Sequence, residues 1–453
     1  MKQLTERIEQ YVQKQKQFCQ ENDYIHRDLY TEYNVKKGLR DENGKGVLTG
    51  LTNISQVRAF RNVDGTQVPC DGELLYRGYD VKSLIEGGIG KRYLFEEAAY
   101  LLLFGALPDA DQLEEFQQIL AASMELPAKF TRDVIMKAPS PDIMNSMTRS
   151  ILTLASYDSR KDDLEIGNVL RQCIQLISTF PMMAVYGYHA YNHYDNDDSM
   201  YIHRPDRNLS IAENFLRMLR PNMCYTELEA RVLDVALMLH MEHGGGNNSA
   251  FTTRVVTSSG ADTYSSIAAA MSSLKGKKHG GANLMVMNMM DDIRNHISDY
   301  RDEEQITWYL RKILRKEAFD KKGLIYGMGH AVYSLSDPRE RIFKGFVEQL
   351  AVAKHREADM ALYNSIEEIA PKLIAQDRKI FKGVSPNVDF YSGFVYDMLE
   401  IPKELYTPLF ATARIVGWSA HRIEELVTAD KIIRPAYKSL VTERKTYIPR
   451  EER

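Results

Sequence analysis

Apolar positions recur at helical spacing along most of this 453-residue chain. From residue 4 to about residue 33 they lie on a charged background, which predicts an amphipathic helix. Capping boxes of the form Ser/Thr-x-x-Glu, at Ser210 and Thr226, predict the starts of two more helices. Short strands are predicted over 46–79, where Asp-Gly pairs indicate tight turns. The pattern therefore predicts a mainly α fold with a few short strands near the N-terminus.

Composition narrows the class of protein. Hydrophobic residues make up 44% of the chain and charged residues 26%, as in ordinary globular domains, and no apolar run reaches membrane-spanning length. The net charge of -4 argues against a surface dominated by nucleic-acid binding. The four cysteines are far apart without a C-x-x-C pair, and the charged N-terminal segment lacks the apolar core of a secretory signal. We expect a cytoplasmic protein with neither nucleic acid nor membrane as a partner.

Two histidines end the apolar run in VALMLHMEHGGGNNSAFTTR. His240 and His243 are one turn apart, so a continuous helix would put them on one face before the glycines at 244–246 break it. Three interpretations stand: a metal site, a histidine stabilised by the helix dipole, and a ligand contact beside glycines that let backbone approach closely. Metal is disfavoured because HMEH is neither H-E-x-x-H nor H-x-x-E-H and no third ligand is evident.

The stretch SLKGKKHGGAN interrupts an alanine-rich helical pattern and places His279 between lysines and glycines. Asn283 is a favourable N-cap residue for the next predicted helix, LMVMNMMDDI. The positive end of that helix would disfavour imidazolium and lower the pKa of His279, and a neutral imidazole can donate a hydrogen bond to a carbonyl. Taken alone, the stretch favours an ordinary histidine in a solvated basic loop.

Two glycines precede a histidine in GLIYGMGHAVYSLSDPR. Gly327 and Gly329 are similar to the start of a dinucleotide fingerprint, but the third glycine and a clear strand-turn-helix pattern are missing. The alternative is that this glycine-spaced backbone binds an adenine-containing ligand. His330 would then supply a proton beside the guanidinium of Arg339.

Two further charged residues lie in apolar surroundings. Asp389, in VSPNVDFYSGFVYDML, is either a helix N-cap or a base in a pocket closed to water. Arg414, in PLFATARIVGWSAHRIEEL, needs a partner if buried, either a protein carboxylate or an anionic ligand. Together with the histidines, these residues favour carboxylates clamped by arginines and acid-base chemistry by histidine and aspartate.

In order and approximate spacing these motifs resemble those of the citrate synthase family. The matching stretches are LHMEHGGGN, LKGKKHGGAN, GMGHAVYSLSDPR, PNVDFYSG, ATARIVGWSAH and KIIRPAYKSL. The resemblance implies an acyltransferase of the tricarboxylic acid cycle that condenses acetyl-CoA with oxaloacetate and hydrolyses citryl-CoA to citrate and CoA. It implies no metal and no cofactor besides the co-substrate. The alternatives are a 2-methylcitrate synthase using propionyl-CoA and a non-catalytic helical scaffold of the same fold.

The resemblance also implies a role for each matched residue. His279 would donate a hydrogen bond to the thioester carbonyl, Asp389 would remove a proton from the α-carbon, and His330 would polarise and protonate the keto group of oxaloacetate. The carboxylates of oxaloacetate would be held by His243, Arg339, Arg414 and Arg434. Arg434 would enter from the neighbouring subunit of a homodimer.

The resemblance further implies two domains, the smaller one inserted into the larger one. We expect an N-terminal helical extension over 1–45, the large domain over 46–279 and 394–453, and the small domain, on the acyl-CoA side, over 280–393. The glycines at 244–246 and at 280–281 are expected hinges for closure.

Overall fold

The computed structural model describes residues 2–41, 46–64, 66–329, 336–378, 384–428, 431–441 and 443–452. Three strands form one antiparallel sheet in the order β1-β2-β3: β1 Ser55–Val63, β2 Thr66–Tyr76 and β3 Tyr79–Asp80. The α-helices of these ranges are α1 Lys2–Asn22, α2 Asp28–Glu32, α3 Val81–Gly87, α4 Leu94–Phe104, α5 Ala110–Ala122, α6 Ile143–Leu154, α7 Ile166–Asp195, α8 Ile211–Leu219, α9 Glu227–His240, α10 Asn248–Ser258, α11 Thr263–Leu274, α12 Ala282–His296, α13 Glu303–Leu314, α14 Pro338–Ala353, α15 Glu357–Arg378, α16 Val388–Met398 and α17 Tyr406–Thr428. The predicted mainly α fold with a few short strands near the N-terminus is confirmed.

The chain divides into two compact units, Met1–Leu51 and Thr52–Arg453. The first unit holds α1 and α2, and the break between them after Asn22 corrects the single helix predicted to about residue 33. The second unit holds the sheet and the remaining helices. Its predicted division into a large and an inserted small domain stays a prediction. Across the described ranges, each helix is too short or too polar to cross a membrane.

Local signals in the sequence account for several helix ends. The Ser210 hydroxyl accepts from the backbone of Glu213 at 3.1 Å, and the Glu213 side chain accepts from the backbone of Ser210 at 2.8 Å. Thr226 makes the equivalent capping box at the start of α9. Helix α4 ends at Phe104, and the next residue, Gly105, adopts the left-handed φ of 88° that glycine tolerates best. The two helix starts confirm the predictions from the capping boxes.

Helix α17 runs through the core of the second unit and packs against α7, α9, α10 and α11. Every residue from 411 to 422 in it is buried. Polar groups on a helix buried on all sides cost free energy unless they find hydrogen-bond partners. The Arg422 guanidinium donates hydrogen bonds to the hydroxyls of Thr257 and Ser266 at 3.1 and 2.8 Å. Its role is therefore to stabilise the core. Arg414 and His421 on the same helix face the turn that follows α9.

The hairpin of β1 and β2 supports that same turn. Tyr76, at the end of β2, is fully buried. Its hydroxyl lies 3.0 Å from the carbonyl oxygen of Met238 and 3.3 Å from the amide nitrogen of Glu242, so it can donate to the first and accept from the second. The sheet therefore fixes the backbone where α9 ends.

Candidate active site

The turn after α9 separates the two histidines that were predicted to share a helix face. Helix α9 ends at His240, and that prediction is wrong because Glu242 turns into the core and Gly244 adopts a φ of +86°. The His240 ring is buried edge-on against Phe410, with 4.7 Å between ring centroids. His243 is half-buried. Among the residues described, no cluster of three or more histidines, cysteines or carboxylates could hold a metal ion.

His279 lies between α11 and α12, with Nε2 3.1 Å from the hydroxyl oxygen of Ser249. Burial, and then the positive charge of Arg414, lower its pKa from 6.5 to about 4. The imidazole is therefore neutral at physiological pH, as the sequence predicted, but for a different reason. The N-cap of α12 is Gly281 and not Asn283, which lies inside the helix, so the predicted cap is wrong.

Only glycine fits at position 280, directly after His279. A Cβ added to Gly280 would lie 2.3 Å from the carbonyl oxygen of Leu274 and 3.0 Å from Cγ2 of Thr407. The Thr407 hydroxyl also donates to the carbonyl of Gly280 at 3.2 Å. These contacts hold the loop that carries the imidazole against the start of α17. By contrast, Lys277 on the same loop is exposed.

Ser249 is a functional candidate that sequence reasoning missed. It lies fully buried in the first turn of α10, and its oxygen receives a hydrogen bond from the indole of Trp418 at 3.0 Å. The same oxygen is 2.9 Å from Oδ1 of Asn247 and faces His279. Nothing in the sequence distinguishes this serine from its neighbours, since its partners come from distant parts of the chain.

Asp389 lies in the first turn of α16 and is partly buried. The interpretation of this residue as a helix N-cap is wrong, because Asn387 is the N-cap and accepts from the backbone of Asp389 at 3.0 Å. Burial raises the pKa of Asp389 from 3.8 to about 6. The charge of Arg339 opposes this rise, and that of Asp337 adds to it.

Hydrogen bonds join residues 327–329 to the start of α16, the helix that carries Asp389. The amide of Asn387 donates to the carbonyl of Gly327 at 2.9 Å, and its side chain donates to the carbonyl of Gly329 at 2.8 Å. Gly327 has a φ of +80°, and a Cβ there would lie 2.9 Å from the ring of Phe390. The predicted contact of these glycines with an adenine-containing ligand stays a prediction. His330 itself lies outside the described residues.

Two buried guanidinium groups lie close together. Arg339 is 4% exposed and bonds Asp337 through Nε at 3.1 Å and Nη2 at 2.8 Å. Arg414 is 1% exposed; its Nε donates to the carbonyl of His240 at 2.7 Å, and its Nη1 has no hydrogen-bond partner in the part of the chain that the structure describes. Arg339 is thus paired with a protein carboxylate, and the anionic ligand considered for Arg414 stays a prediction. Donors of this kind suit a carboxylate ligand.

Electrostatic interactions join four of the candidates, His279, Asp389, Arg339 and Arg414, into one site. The charges of Arg339 and Arg414 act on Asp389, and the charge of Arg414 acts on His279. Arg434 is not one of these four. It is exposed in the irregular segment after α17, and within the described ranges no hydrogen bond or ion pair joins it to the other candidates.

The four groups together can bind a dicarboxylate and carry out acid-base chemistry beside it. Two buried cations can hold a dicarboxylate, a neutral imidazole can donate to a carbonyl oxygen, and a carboxyl with a raised pKa can take a weakly acidic proton. All four groups come from elements of the second unit. A non-catalytic scaffold of the same fold predicts that the catalytic residues are lost, whereas His279, His330 and Asp389 are all present in the sequence.

Comparisons with known proteins identify the family. The family model "Citrate synthase, C-terminal domain" matches residues 42–436. The curated citrate synthase of Synechocystis sp. is 34% identical over 411 residues, covering 89% of this chain and 93% of that protein. The curated 2-methylcitrate synthase of Shewanella oneidensis is 33% identical over 367 residues, covering 80% of this chain and 87% of that protein.

Solved structures agree with these relatives. The citrate synthase of Thermoplasma acidophilum, in a ternary complex with carboxymethyl coenzyme A and oxaloacetate, superposes with a TM-score of 0.75 at 26% identity, covering 92% of this chain and 99% of that chain. The citrate synthase of Thermotoga maritima gives a TM-score of 0.70 at 29% identity, covering 91% and 99%. The resemblance found in the sequence is confirmed, and the chain belongs to the citrate synthase family.

Proposed function

We propose that this enzyme condenses acetyl-CoA with oxaloacetate and hydrolyses the resulting citryl-CoA to citrate and CoA. One observation carries the proposal. A neutral imidazole, His279, and a carboxyl with a pKa of about 6, Asp389, lie around the buried guanidinium of Arg414. The ternary complex of the Thermoplasma relative, which holds a coenzyme A derivative and oxaloacetate, supports the same pair of substrates.

The first step is removal of a proton from the methyl group of acetyl-CoA. Asp389 accepts that proton, and its raised pKa makes it a stronger base than an ordinary aspartate. The electron pair of the broken C–H bond forms the C=C bond of the enol, and the thioester oxygen gains negative charge. Neutral His279 donates a hydrogen bond to that oxygen, which lowers the cost of forming the enol.

The second step joins the two substrates. The enol carbon attacks the keto carbon of oxaloacetate, and the keto oxygen takes up the electron pair and a proton from His330, a role that rests on the resemblance. The oxaloacetate carboxylates bind the side chains of His243, Arg339 and Arg414. Water then attacks the thioester carbon of citryl-CoA, and the CoA thiol leaves as citrate forms.

Two further parts of the proposal concern assembly. The protein works as a cytoplasmic homodimer in which Arg434 of one copy completes the carboxylate clamp of the other, in keeping with its exposed position. The small domain, 280–393, closes over the site and excludes water until the carbon–carbon bond has formed. A protomer that cannot dimerise is expected to be inactive.

The decisive experiment follows thiol release from acetyl-CoA in the presence of oxaloacetate. The Asp389→Ala variant should lose this activity while keeping its fold. Asp397→Ala is a matched control, because Asp397 lies on the same helix and pairs with Arg356 at its partly exposed end. Unchanged turnover in Asp389→Ala would refute the assigned base.

A second candidate function is the condensation of propionyl-CoA with oxaloacetate. The 33% identity to the Shewanella 2-methylcitrate synthase favours it, and an extra methylene is worth only about 1–3 kcal/mol in an apolar pocket. Comparing kcat/KM for the two acyl-CoA substrates decides between them. Equal or better use of propionyl-CoA would replace acetyl-CoA as the proposed substrate and leave the reaction class intact.

A further inference from the structure

A fully buried carboxylate lies beside the proposed oxaloacetate site without being part of it. Glu242 is 0% exposed. Its Oε1 accepts from the hydroxyl of Ser55 at 2.9 Å and from Nε2 of His421 at 2.9 Å. Burial alone would raise its pKa, but its interactions with His421, Arg414 and Ser55 lower the pKa to about 2. Glu242 therefore carries a full negative charge at neutral pH.

His421 is the hydrogen-bond donor that holds this carboxylate. Its Nδ1 lies 2.8 Å from Nη2 of Arg254, and a guanidinium can only donate, so Nδ1 must accept. The ring proton is then on Nε2 and is donated to Glu242. Arg254 is itself held by Glu424 and by Glu425, the latter at 3.0 Å. The bonds of Arg254 thus fix the tautomer of His421.

Glu242 approaches Arg414 without bonding to it. Its second oxygen, Oε2, packs against Gly417, one turn along α17 from Arg414, and a Cβ at Gly417 would lie 2.5 Å from that oxygen. The negative charge of Glu242 raises the pKa of Arg414, which burial lowers. Neither carboxylate oxygen has a hydrogen bond to Arg414, and Nη1 of Arg414 has no partner within the described ranges.

We propose that Glu242 is the resident counter-charge of Arg414, and that His421 and Ser55 hold it close enough to stabilise the buried cation but away from the donor that oxaloacetate uses. This inference deepens the proposed function and rests on it. It makes Glu242 and His421 positioning residues that tune affinity for the dicarboxylate. Glu242 stabilises the empty site and weakens binding of the incoming anion, because like charges repel in a buried pocket.

The inference predicts opposite effects from two residues that bond each other. Removing the charge of Glu242 takes away a repulsion, so oxaloacetate should bind more tightly. Removing the hold of His421 frees the charged Glu242 to bond Arg414 in competition with the substrate, so oxaloacetate should bind more weakly. If the pair only supported the fold, both changes would weaken binding.

The first test is Glu242→Gln, which keeps the size of the side chain and an acceptor for Ser55 and His421. Titration calorimetry with oxaloacetate at pH 7 should show Kd falling roughly tenfold or more. Glu340→Gln is the matched control. Glu340 is also buried, but burial and Glu367 raise its pKa to about 8, so its replacement changes no charge at pH 7 and should leave Kd within about twofold. An unchanged or higher Kd in Glu242→Gln overturns the inference.

The second test compares two replacements of His421. In His421→Gln an amide can still donate to Glu242 and accept from Arg254, so Kd should stay within about threefold of the unaltered protein. In His421→Leu both bonds are lost, and Kd should rise by roughly tenfold. Equal effects of the two replacements overturn the inference. This pair decides the question if Glu242→Gln does not yield folded protein.

The two proposals fail in different ways. If oxaloacetate does not bind the unaltered protein, the proposed function falls. If oxaloacetate binds the unaltered protein and Glu242→Gln alike, the inference alone falls.

Discussion

Replacing the proposed catalytic base by its neutral isostere should stabilise the protein while it abolishes turnover. In the unfolded chain Asp389 ionises near 3.8, whereas burial in the folded protein raises its pKa to about 6. The Asp389 carboxyl therefore binds its proton more tightly in the folded protein than in the unfolded chain. Its contribution to the free energy of unfolding is therefore complete below about pH 4 and is lost as the pH rises through about 6.

The magnitude follows from the two pKa values. The interval from 3.8 to about 6, at about 1.36 kcal/mol for each pH unit, amounts to about 3 kcal/mol of lost stability at neutral pH. Asp389→Asn cannot ionise and escapes this loss. Its free energy of unfolding should exceed that of the unaltered protein by about 2–3 kcal/mol at pH 7.5, and by less than about 1 kcal/mol at pH 4.

The assay is urea-induced unfolding at one fixed protomer concentration, at pH 7.5 and at pH 4. Asp397→Asn serves as the control because it makes the same substitution on the same helix, where the ion pair with Arg356 is partly exposed. The control should lose at most about 1 kcal/mol and gain nothing at either pH. The reasoning is refuted if Asp389→Asn is no more stable at pH 7.5, or if its advantage persists at pH 4.

Three other predictions follow from the site and the core. The rate of CoA release should fall about tenfold from pH 7 to pH 5 with a midpoint near pH 6, as Asp389 gains a proton while His279 stays neutral; a midpoint near pH 4 would contradict the assigned base. Ser249→Ala should lower kcat by roughly 10- to 100-fold with a smaller change in the KM for oxaloacetate, measured by the same assay, because the imidazole loses the hydroxyl that orients it. Arg220→Met should lower the free energy of unfolding by about 3 kcal/mol in urea titrations, since it removes the guanidinium that bonds both oxygens of buried Glu229; a loss below about 1 kcal/mol would show that the pair contributes little.

Sequence reasoning found what local chemistry determines. The capping box at Ser210 requires only residues within four positions, so the start of α8 could be predicted. The cap at Asn283 could not be predicted correctly, because Gly280 packs closely on Leu274 and α12 begins two residues earlier, with Gly281 at the cap. Tertiary packing overrides a favourable cap residue there.

The contrast between local signals and tertiary packing also explains which site residues the sequence could reveal. The charged and imidazole groups stood out because each occurs in a motif that an ordinary core does not need. Their supporting partners did not stand out, because Ser249 meets Trp418 across 169 positions of the chain and Glu242 meets His421 across 179. Asp337 did leave a signal, since an Asp-Pro-Arg sequence places an N-cap carboxylate beside a guanidinium.

The backbone bonds between 327–329 and 385–387 have a mechanical consequence. The amide of Gly329 donates to Ser385 at 2.7 Å, and that of Asn387 donates to Gly327 at 2.9 Å. A displacement of the chain entering residue 330 must therefore carry the first turn of α16 with it, or break both bonds. Asp389, the proposed base, lies in that first turn, so any movement of residues 327–329 also shifts its carboxylate.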